Sequence, residues 1–446
     1  MKIQNEYRGR YFYHFTHIDN IPSIVEKHGL YCTNLKNRYG ISHHNVANMN
    51  IQNRRSEMSV PVGPRGVVHD YVPFYFASTN KMLLSLLNRK VVDQPYIVFL
   101  AVSIEKLLEK NVVFTDASAN TNVPPNFYDD PNDLDKLNWS LIDSTKWGEQ
   151  SEEELHSRMA EVLVYGQVPL EWIDAYIVFN KIGEKMVRRC YRNAGLQIPD
   201  ISYSWFNGRN FFFTKFFFAD RKDETLVIGP LQLYEIYQEV VNNIEEKRKI
   251  MDKHDCIFED LKDAIFQIED DFCVIEELSG IYNLKTDNHM HHESVSDHTI
   301  TVVNNLSSTY YYPYLSGREK DIVRLAAYFH DIGKGPKEKW KDGIQKVYLD
   351  HPVDALPMLQ RIFSEDFEKI KYKDYRDICL LVAYHDLLGD IIGNGRSEEE
   401  LRHLDLSDEM LYMLAVLSEA DICALGGMFA LNIKREIHTL LNYIMR

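Results

Sequence analysis

The spacing of apolar residues changes once along the chain, between about residues 213 and 230, and this limits the fold more than any other feature. Before the change, short strand-like runs such as YVPFYFAS (71–78) and QPYIVFLAVS (94–103) alternate with short helical segments such as IDNIPSIVEKHG (18–29). After it, long helical patterns dominate, among them LQLYEIYQEVVNNIEEKRKIMDKH (231–254) and DEMLYMLAVLSEADICALGG (408–427). A period-2 pattern and a 3.6 pattern bury different surfaces and do not share one regular layer. The expectation is therefore an α+β N-terminal fold with a mixed β core and short helices, followed by an all-α helical bundle. The expected boundaries are residues 1–213, a linker and helical connector over 214–284, and 285–446. The aromatic stretch WFNGRNFFFTKFFF (205–218) is expected to be buried against the second domain, and TDASANTNVPPNFYDDPND (115–133) to form a long loop.

Charge divides the same way. Through residue 213 acidic and basic side chains balance at about 23 each, so the net charge of −16 falls on the remainder. Phosphate binding requires positive potential, so nucleic acid is expected at the first half only. Six scattered cysteines without a CxxC pair read as free thiols of a reducing cytoplasm. No apolar run has the length of a membrane span, and MKIQNEYRGRYFYHF reads as lacking a signal peptide, so no membrane partner is expected.

DIVRLAAYFHDIGKG (321–335) is apolar on nearly all sides and ends by presenting His330 and Asp331, with Gly333 and Gly335 expected to stop the helix. A buried carboxylate is unfavourable unless it is paired or coordinated. One such dipeptide is often a hydrogen-bonded core pair. Here, however, His298 opens DHTITVVNNL, His351 begins a helix in YLDHPVDALPML, His385 ends DICLLVAYHDLLG and Asp421 lies inside a very apolar helix. A mixed imidazole–carboxylate set suits a divalent transition ion or Mg²⁺ (Mn, Fe, Ni or Mg) better than it suits structural zinc. Lys334 either neutralises a substrate phosphate or is a solvated loop residue.

The order H…HD…H…H…D, with HDIGK at its core, resembles the HD-domain metal phosphohydrolase superfamily over residues 285–446. The resemblance implies a mononuclear set of His298, His330, Asp331 and Asp421. With His351 and His385 added, it implies two metals bridged by Asp331, acting on a nucleotide or phosphate ester with Lys334 as a catalytic residue. HMHHESVSDHT is also similar to the HD region of CCA-adding enzymes, which gives His292 a contact near the ligands or the substrate.

In the first half, YHFTHIDN places His14 and Thr16 on a strand and Asn20 at a helix start. NRRSEMSV carries Arg55, and Glu161 stands immediately before the apolar strand VLVYG. A carboxylate at a strand mouth can hydrogen-bond a ribose hydroxyl and stabilise an oxocarbenium ion, and aromatic walls can clamp a nicotinamide ring. Taken singly, Glu161 also reads as a solvated strand-edge residue and Arg55 as a surface charge. Trp139, Trp147 and Trp172 offer rings for base stacking, yet in so aromatic a chain they read as core or loop anchors.

The segments YHFTHIDN, GVVHDYVPFYF and AEVLVYGQVPLEW, in that order and spacing, resemble the DarT family of NAD-dependent ADP-ribosyltransferases, which modify bases in single-stranded DNA. The resemblance implies an ADP-ribosyltransferase fold, with His14 and Thr16 holding the nicotinamide and its ribose and Asn20 near the adenosine. It further implies Tyr75 and Met82 around the nicotinamide ring, Glu161 as catalytic carboxylate, and Arg55 at the NAD phosphates or the acceptor base. Two positions depart from the family pattern. Met159 replaces the usual glutamine two before the glutamate, and Ser118 stands near the usual histidine.

The expected function is bifunctional. ADP-ribosylation of single-stranded DNA or RNA is joined to metal-dependent phosphohydrolysis, in a toxin or phage-defence protein paired with an antitoxin. The alternatives are a hydrolase whose first half only senses NAD or binds nucleic acid, and a non-catalytic interaction protein.

Overall fold

The computed structural model describes residues 2–44, 54–119, 124–144, 151–214, 227–250, 255–287 and 293–444, with the side chains of 427–431 outside the description. The chain divides into two compact units. The first comprises residues 1–88 and 92–227, the second 89–91 and 228–446.

The first unit is built on an eight-stranded sheet. Its strands are β1 (Tyr11–His17), β2 (Tyr71–Tyr75), β3 (Ile97–Ser103), β4 (Val112–Thr115), β5 (Phe127–Tyr128), β6 (Glu161–Tyr165), β7 (Ala175–Val178) and β8 (Asp200–Tyr203), in the order β8-β7-β3-β1-β2-β6-β4-β5. All neighbours are antiparallel except β8 and β7. β3 is the most apolar strand, and six of its seven residues are buried, as expected between two covered faces.

β1 pairs with β3 along its whole length, from Tyr11↔Ser103 to His17↔Ile97. Its register with β2 is confined to Tyr13↔Tyr75. Pro73, at the centre of β2, has no N–H to give, and its carbonyl accepts from His14 Nδ1 at 2.8 Å instead of from a strand. The parting of β1 from β2 is where the first unit's site lies.

Two expectations are corrected here. Phe211 and Phe212 are fully buried, but their ring partners are Tyr13, Phe99 and Phe179 of the first unit itself. An apolar sheet face close at hand offers these two rings three aromatic partners, and residues 215–218 of the stretch lie outside the described residues. The presumed loop over 115–133 is not structureless either. It contains β5 and a 3₁₀ turn over Pro131–Lys136, which Asp130 caps through Asn132 N.

The second unit is helical. Five helices carry its candidate ligands: α1 (Val295–Asn305), α2 (Gly317–Phe329), α3 (His351–Arg361), α4 (Tyr372–Tyr384) and α5 (Asp408–Leu425). α2 touches α1, α4 and α5, and α3 touches α4. Ser316 and Glu319 form a capping box that starts α2. The stretch read as a connector supplies Leu233, Val241, Ile265 and Leu278 to the same core as α2 and α5.

α2 does not run to the glycines. It ends at Phe329 with His330 as its C-cap, and a separate 3₁₀ turn covers Ile332–Lys334. Gly333 serves packing rather than termination. A Cβ there would lie 1.9 Å from the carbonyl oxygen of His351 and 2.7 Å from Ala355 N. Only a bare Cα lets this turn sit on the first turn of α3.

Candidate active sites

The gap between β1 and β2 opens into a cavity of about 440 Å³. His14, Thr16, Asn20, Tyr75 and Met82, all five residues expected around the cofactor, line it together with Arg55. The strand period explains part of the set, because His14 and Thr16 are two apart on β1 and share a face. Asn20 stands just before the helix Ile21–Glu26 without capping it through its side chain, which donates to Thr16 Oγ1 at 2.9 Å and accepts from His44 N at 2.7 Å. Tyr75 donates its hydroxyl to Met82 Sδ at 3.2 Å, and its ring stacks on Phe15. His14 is half-buried. Burial pushes its imidazole down to about 4, and Lys36 lowers it further against the bond to Pro73. Lys27, Lys36 and Arg55 are the cations of the lining, and among the described residues no carboxylate lines it.

Glu161 is the first residue of β6 and stands opposite Tyr75 in the sheet register. It is 0% exposed. Oε1 accepts from Arg55 Nη1 at 3.0 Å, Ala119 N at 2.9 Å and Ser118 Oγ at 3.3 Å, and Oε2 accepts from Arg55 Nη2 at 2.8 Å. Arg55 therefore belongs to both the cavity wall and the carboxylate. Ser118 binds the glutamate directly. Met159 is buried, and its sulfur accepts from Lys81 N at 3.3 Å.

In the second unit all six expected ligands converge. His298 Nε2 lies 2.8 Å from Asp421 Oδ1, and His330 Nε2 lies 3.8 Å from that oxygen and 3.5 Å from Asp331 Oδ2. On the other side of Asp331, Oδ1 is 3.3 Å from His351 Nε2, which is 3.1 Å from His385 Nε2. The two oxygens of Asp331 thus face two donor groups, His298–His330–Asp421 and His351–His385. Lys334 Nζ sits 2.6 Å from Asp331 Oδ2, so the lysine expected at a substrate phosphate binds the central carboxylate.

Local backbone sets the imidazole tautomers. Nδ1 of His330, His351 and His385 each bonds a carbonyl three residues earlier, Ala327, Tyr348 and Val382, at 2.7–2.8 Å. With the proton on Nδ1, Nε2 presents its lone pair to the site. The lone pairs of the neutral His351 and His385 rings then face each other, and either a proton on His385 or a shared cation removes that repulsion. Two nitrogens at about 2.1 Å from one ion, at roughly a right angle, stand about 3 Å apart. His330 Nε2 and Asp331 Oδ1 are buried without a hydrogen-bond partner, as expected of atoms that serve an ion. Burial holds the His330 imidazole down at about 4. Burial opposes the charged form of Asp331, but Lys334 and then His330 hold its carboxyl well below the ordinary range. The donor set fits a divalent cation.

Residues 13–212 match the family described as ssDNA thymidine ADP-ribosyltransferase, DarT, and residues 295–423 match the HD domain. A DNA ADP-ribosyl transferase of Thermus aquaticus is 32% identical over 196 residues, covering 43% of this chain and 83% of that protein. The chain belongs to the DarT family. The membership rests on the first unit, and an HD domain follows in the second. A DNA ADP-ribosyl transferase of Escherichia coli O127:H6 is 29% identical over 177 residues, 37% of this chain and 78% of that protein. The solved structure of Thermus sp. 2.9 DarT in complex with ADP-ribosylated ssDNA is 27% identical, covers 45% of this chain and 96% of that one, and has a TM-score of 0.41.

Three residues of the DarT and HD sites escaped the sequence reading, Lys27, Lys36 and Asp386. Lys36 lines the DarT cavity, and burial lowers its pKa. Nothing in TNLKNRY sets it apart from a solvated lysine. Asp386 joins His385 and Asp421 in a third donor group, and YHDLLG, the second His-Asp dipeptide of residues 285–446 after YFHDIG, was the available signal. His17, Asp19 and His44 also gather near the DarT cavity. The two rings stack 3.9 Å apart at 14°, so their in-plane lone pairs run side by side and do not meet at one ion. Trp139 stacks on Tyr7 and donates to Leu134 O, which makes it a loop anchor, and Lys106 lies over Trp172. His292 and Trp147 lie outside the described residues. Among those residues, no helix is long and apolar enough to cross a membrane.

Proposed function

We propose that the first unit transfers ADP-ribose from NAD to a base of single-stranded DNA, and that the second is a metal-dependent phosphohydrolase. The observation that carries the first half is the convergence of His14, Thr16, Asn20, Tyr75 and Met82 on one cationic cavity, with Glu161 one side chain behind it. The dinucleotide diphosphate finds Lys27, Lys36 and Arg55. His14 and Thr16 orient the nicotinamide end, and the apolar faces of Tyr75 and Met82 exclude water from the ring. The Glu161 carboxylate bonds the ribose and stabilises positive charge as nicotinamide leaves. Because Arg55 occupies both oxygens of Glu161, this contact requires the guanidinium to turn toward the diphosphate or the acceptor base. Met159 has no polar hydrogen to offer a base, so the acceptor is chosen by other residues, and RNA is the competing acceptor.

In the HD unit, His298, His330, Asp331 and Asp421 would hold one ion, and His351 and His385 would hold a second that shares Asp331. A divalent ion there, Mn, Fe, Ni or Mg, lowers the pKa of a bound water and polarises a phosphoryl oxygen. Lys334, displaced from Asp331 Oδ2, would face the phosphate of a nucleotide or phosphate ester. This pairing of activities suits a cytoplasmic toxin or phage-defence protein with an antitoxin. In a second reading the first unit only senses NAD, which the sealed position of Glu161 favours. Incubation of the full chain with labelled NAD and single-stranded DNA or RNA separates the two. Label on the polymer supports transfer. Nicotinamide release without a labelled acceptor, or NAD binding without turnover, rejects it.

A further inference from the structure

Asp386 belongs to neither expected ligand set, yet its carboxylate is aimed at one of them. Oδ1 lies 3.4 Å from His385 Nε2, and Oδ2 lies 3.7 Å from His351 Nε2. Those are the two imidazole nitrogens that stand 3.1 Å apart with their Nδ1 protons committed to backbone carbonyls. Asp331 reaches the same pair with Oδ1 only, because its Oδ2 faces His298, His330 and Lys334. The His351–His385 pair therefore has one shared carboxylate and one unshared carboxylate within reach.

The charges support a ligand role. Two dications bring four positive charges, and Asp331 with Asp421 returns two. A third carboxylate leaves a net charge that one hydroxide would balance, while phosphate binding still has an electropositive face. A hard dication with two nitrogen ligands also prefers carboxylate oxygens for its remaining positions. Asp386 follows His385, the C-cap of α4, and is the N-cap position of the short helix Leu387–Gly393, but its side chain makes no capping bond there. The helix therefore does not require it. The carboxylate is 35% exposed, as suits a ligand at the open side of a site that must admit substrate.

We propose that Asp386 is the fourth protein donor, with Asp331, His351 and His385, of a second cation site separate from the one that Asp421 completes. The proposal rests on the metal reading of the HD unit. The full chain, stripped with chelator and reloaded with Mn²⁺ alone, tests it by metal analysis, calorimetric titration and electron paramagnetic resonance. The wild type is expected to hold two ions per chain with the broad signal of a coupled pair. Asp386→Ala, with the thermal transition of its metal-free form unchanged, is expected to hold one tightly, to lose at least tenfold affinity for the other, and to show an isolated six-line signal. Asp421→Ala is expected to weaken the other site most and this one less, because Asp421 also gathers with His385 and Asp386. Two ions bound by Asp386→Ala with unchanged affinity would overturn the proposal and leave the metal reading standing. One ion in the wild type would do the same. A wild type that binds none would remove the metal reading itself.

Discussion

Arg55 grips both oxygens of Glu161, at 3.0 and 2.8 Å, in a buried pair where the guanidinium also forms part of the cavity wall. One side chain therefore controls whether the carboxylate meets a ligand. Glu161→Gln keeps an acceptor for Ala119 N and nearly the same volume, so the shape of the site is kept although the buried Arg55 loses its charge partner and stability falls, while transfer falls by about 10²–10³. Nicotinamide release and oligonucleotide labelling measure the loss. Arg55→Ala strands a buried carboxylate and should destabilise the protein by about 3–5 kcal/mol in urea unfolding.

Lys36 lines the cavity, and among the described residues no carboxylate lines it with Lys36. A charge-assisted bond to a diphosphate is worth roughly 1.5–3 kcal/mol, so Lys36→Gln should weaken NAD binding by about tenfold or more. Calorimetry should also show a shallower salt dependence. Unchanged affinity would place the diphosphate elsewhere.

His14 gives a pH signature. Its native imidazole titrates at about 4, against 6.5 for the unperturbed group. Between these values the unfolded chain holds a proton that the native chain lacks. His14 therefore makes stability fall as pH drops from 6.5 towards 4, with no further change below. His14→Gln should flatten that limb of a Tm-against-pH curve relative to wild type. Parallel curves would show that the His14 imidazole titrates alike in the folded and the unfolded chain.

Metal loading should register as stability. At a hundred times Kd, Mn²⁺ bound only by the native state adds about 2.7 kcal/mol, and chelator should reverse the shift. Asp331→Asn, which removes the charge between both donor groups, should abolish the response in thermal scans.

Gly333→Ala is the sharpest packing test. The added Cβ meets backbone of α3, which cannot rotate aside as a side chain can. The variant should lose at least about 2 kcal/mol and should bind metal more weakly, because His351 is the residue pushed. Wild-type behaviour would mean that the turn and α3 separate readily.

Much of the site was readable as residue types and order. His298, His330, Asp331, His351, His385 and Asp421 were legible because ligand-type side chains in apolar helices are unfavourable without a shared partner. His14, Thr16, Asn20, Tyr75, Met82 and Glu161 were legible from their resemblance to DarT. Lys36 was not, because a lysine's sequence neighbours do not reveal a cavity formed by a distant strand. Asp386 was passed over, although a second His-Asp pair of residues 285–446 was in plain view.

The sequence by itself determined the two architectures, the donor types and the helices that bear them, since these depend on periodicity and on the desolvation of polar groups. Tertiary structure alone decided that β1 parts from β2 beside Pro73, that Arg55 closes on Glu161, that Lys334 turns to Asp331, and that Gly333 makes room for His351. Each of these is a contact between residues remote in the chain or a choice among several partners. Such choices are made by which atoms packing brings within about 3 Å, a quantity that no local pattern encodes.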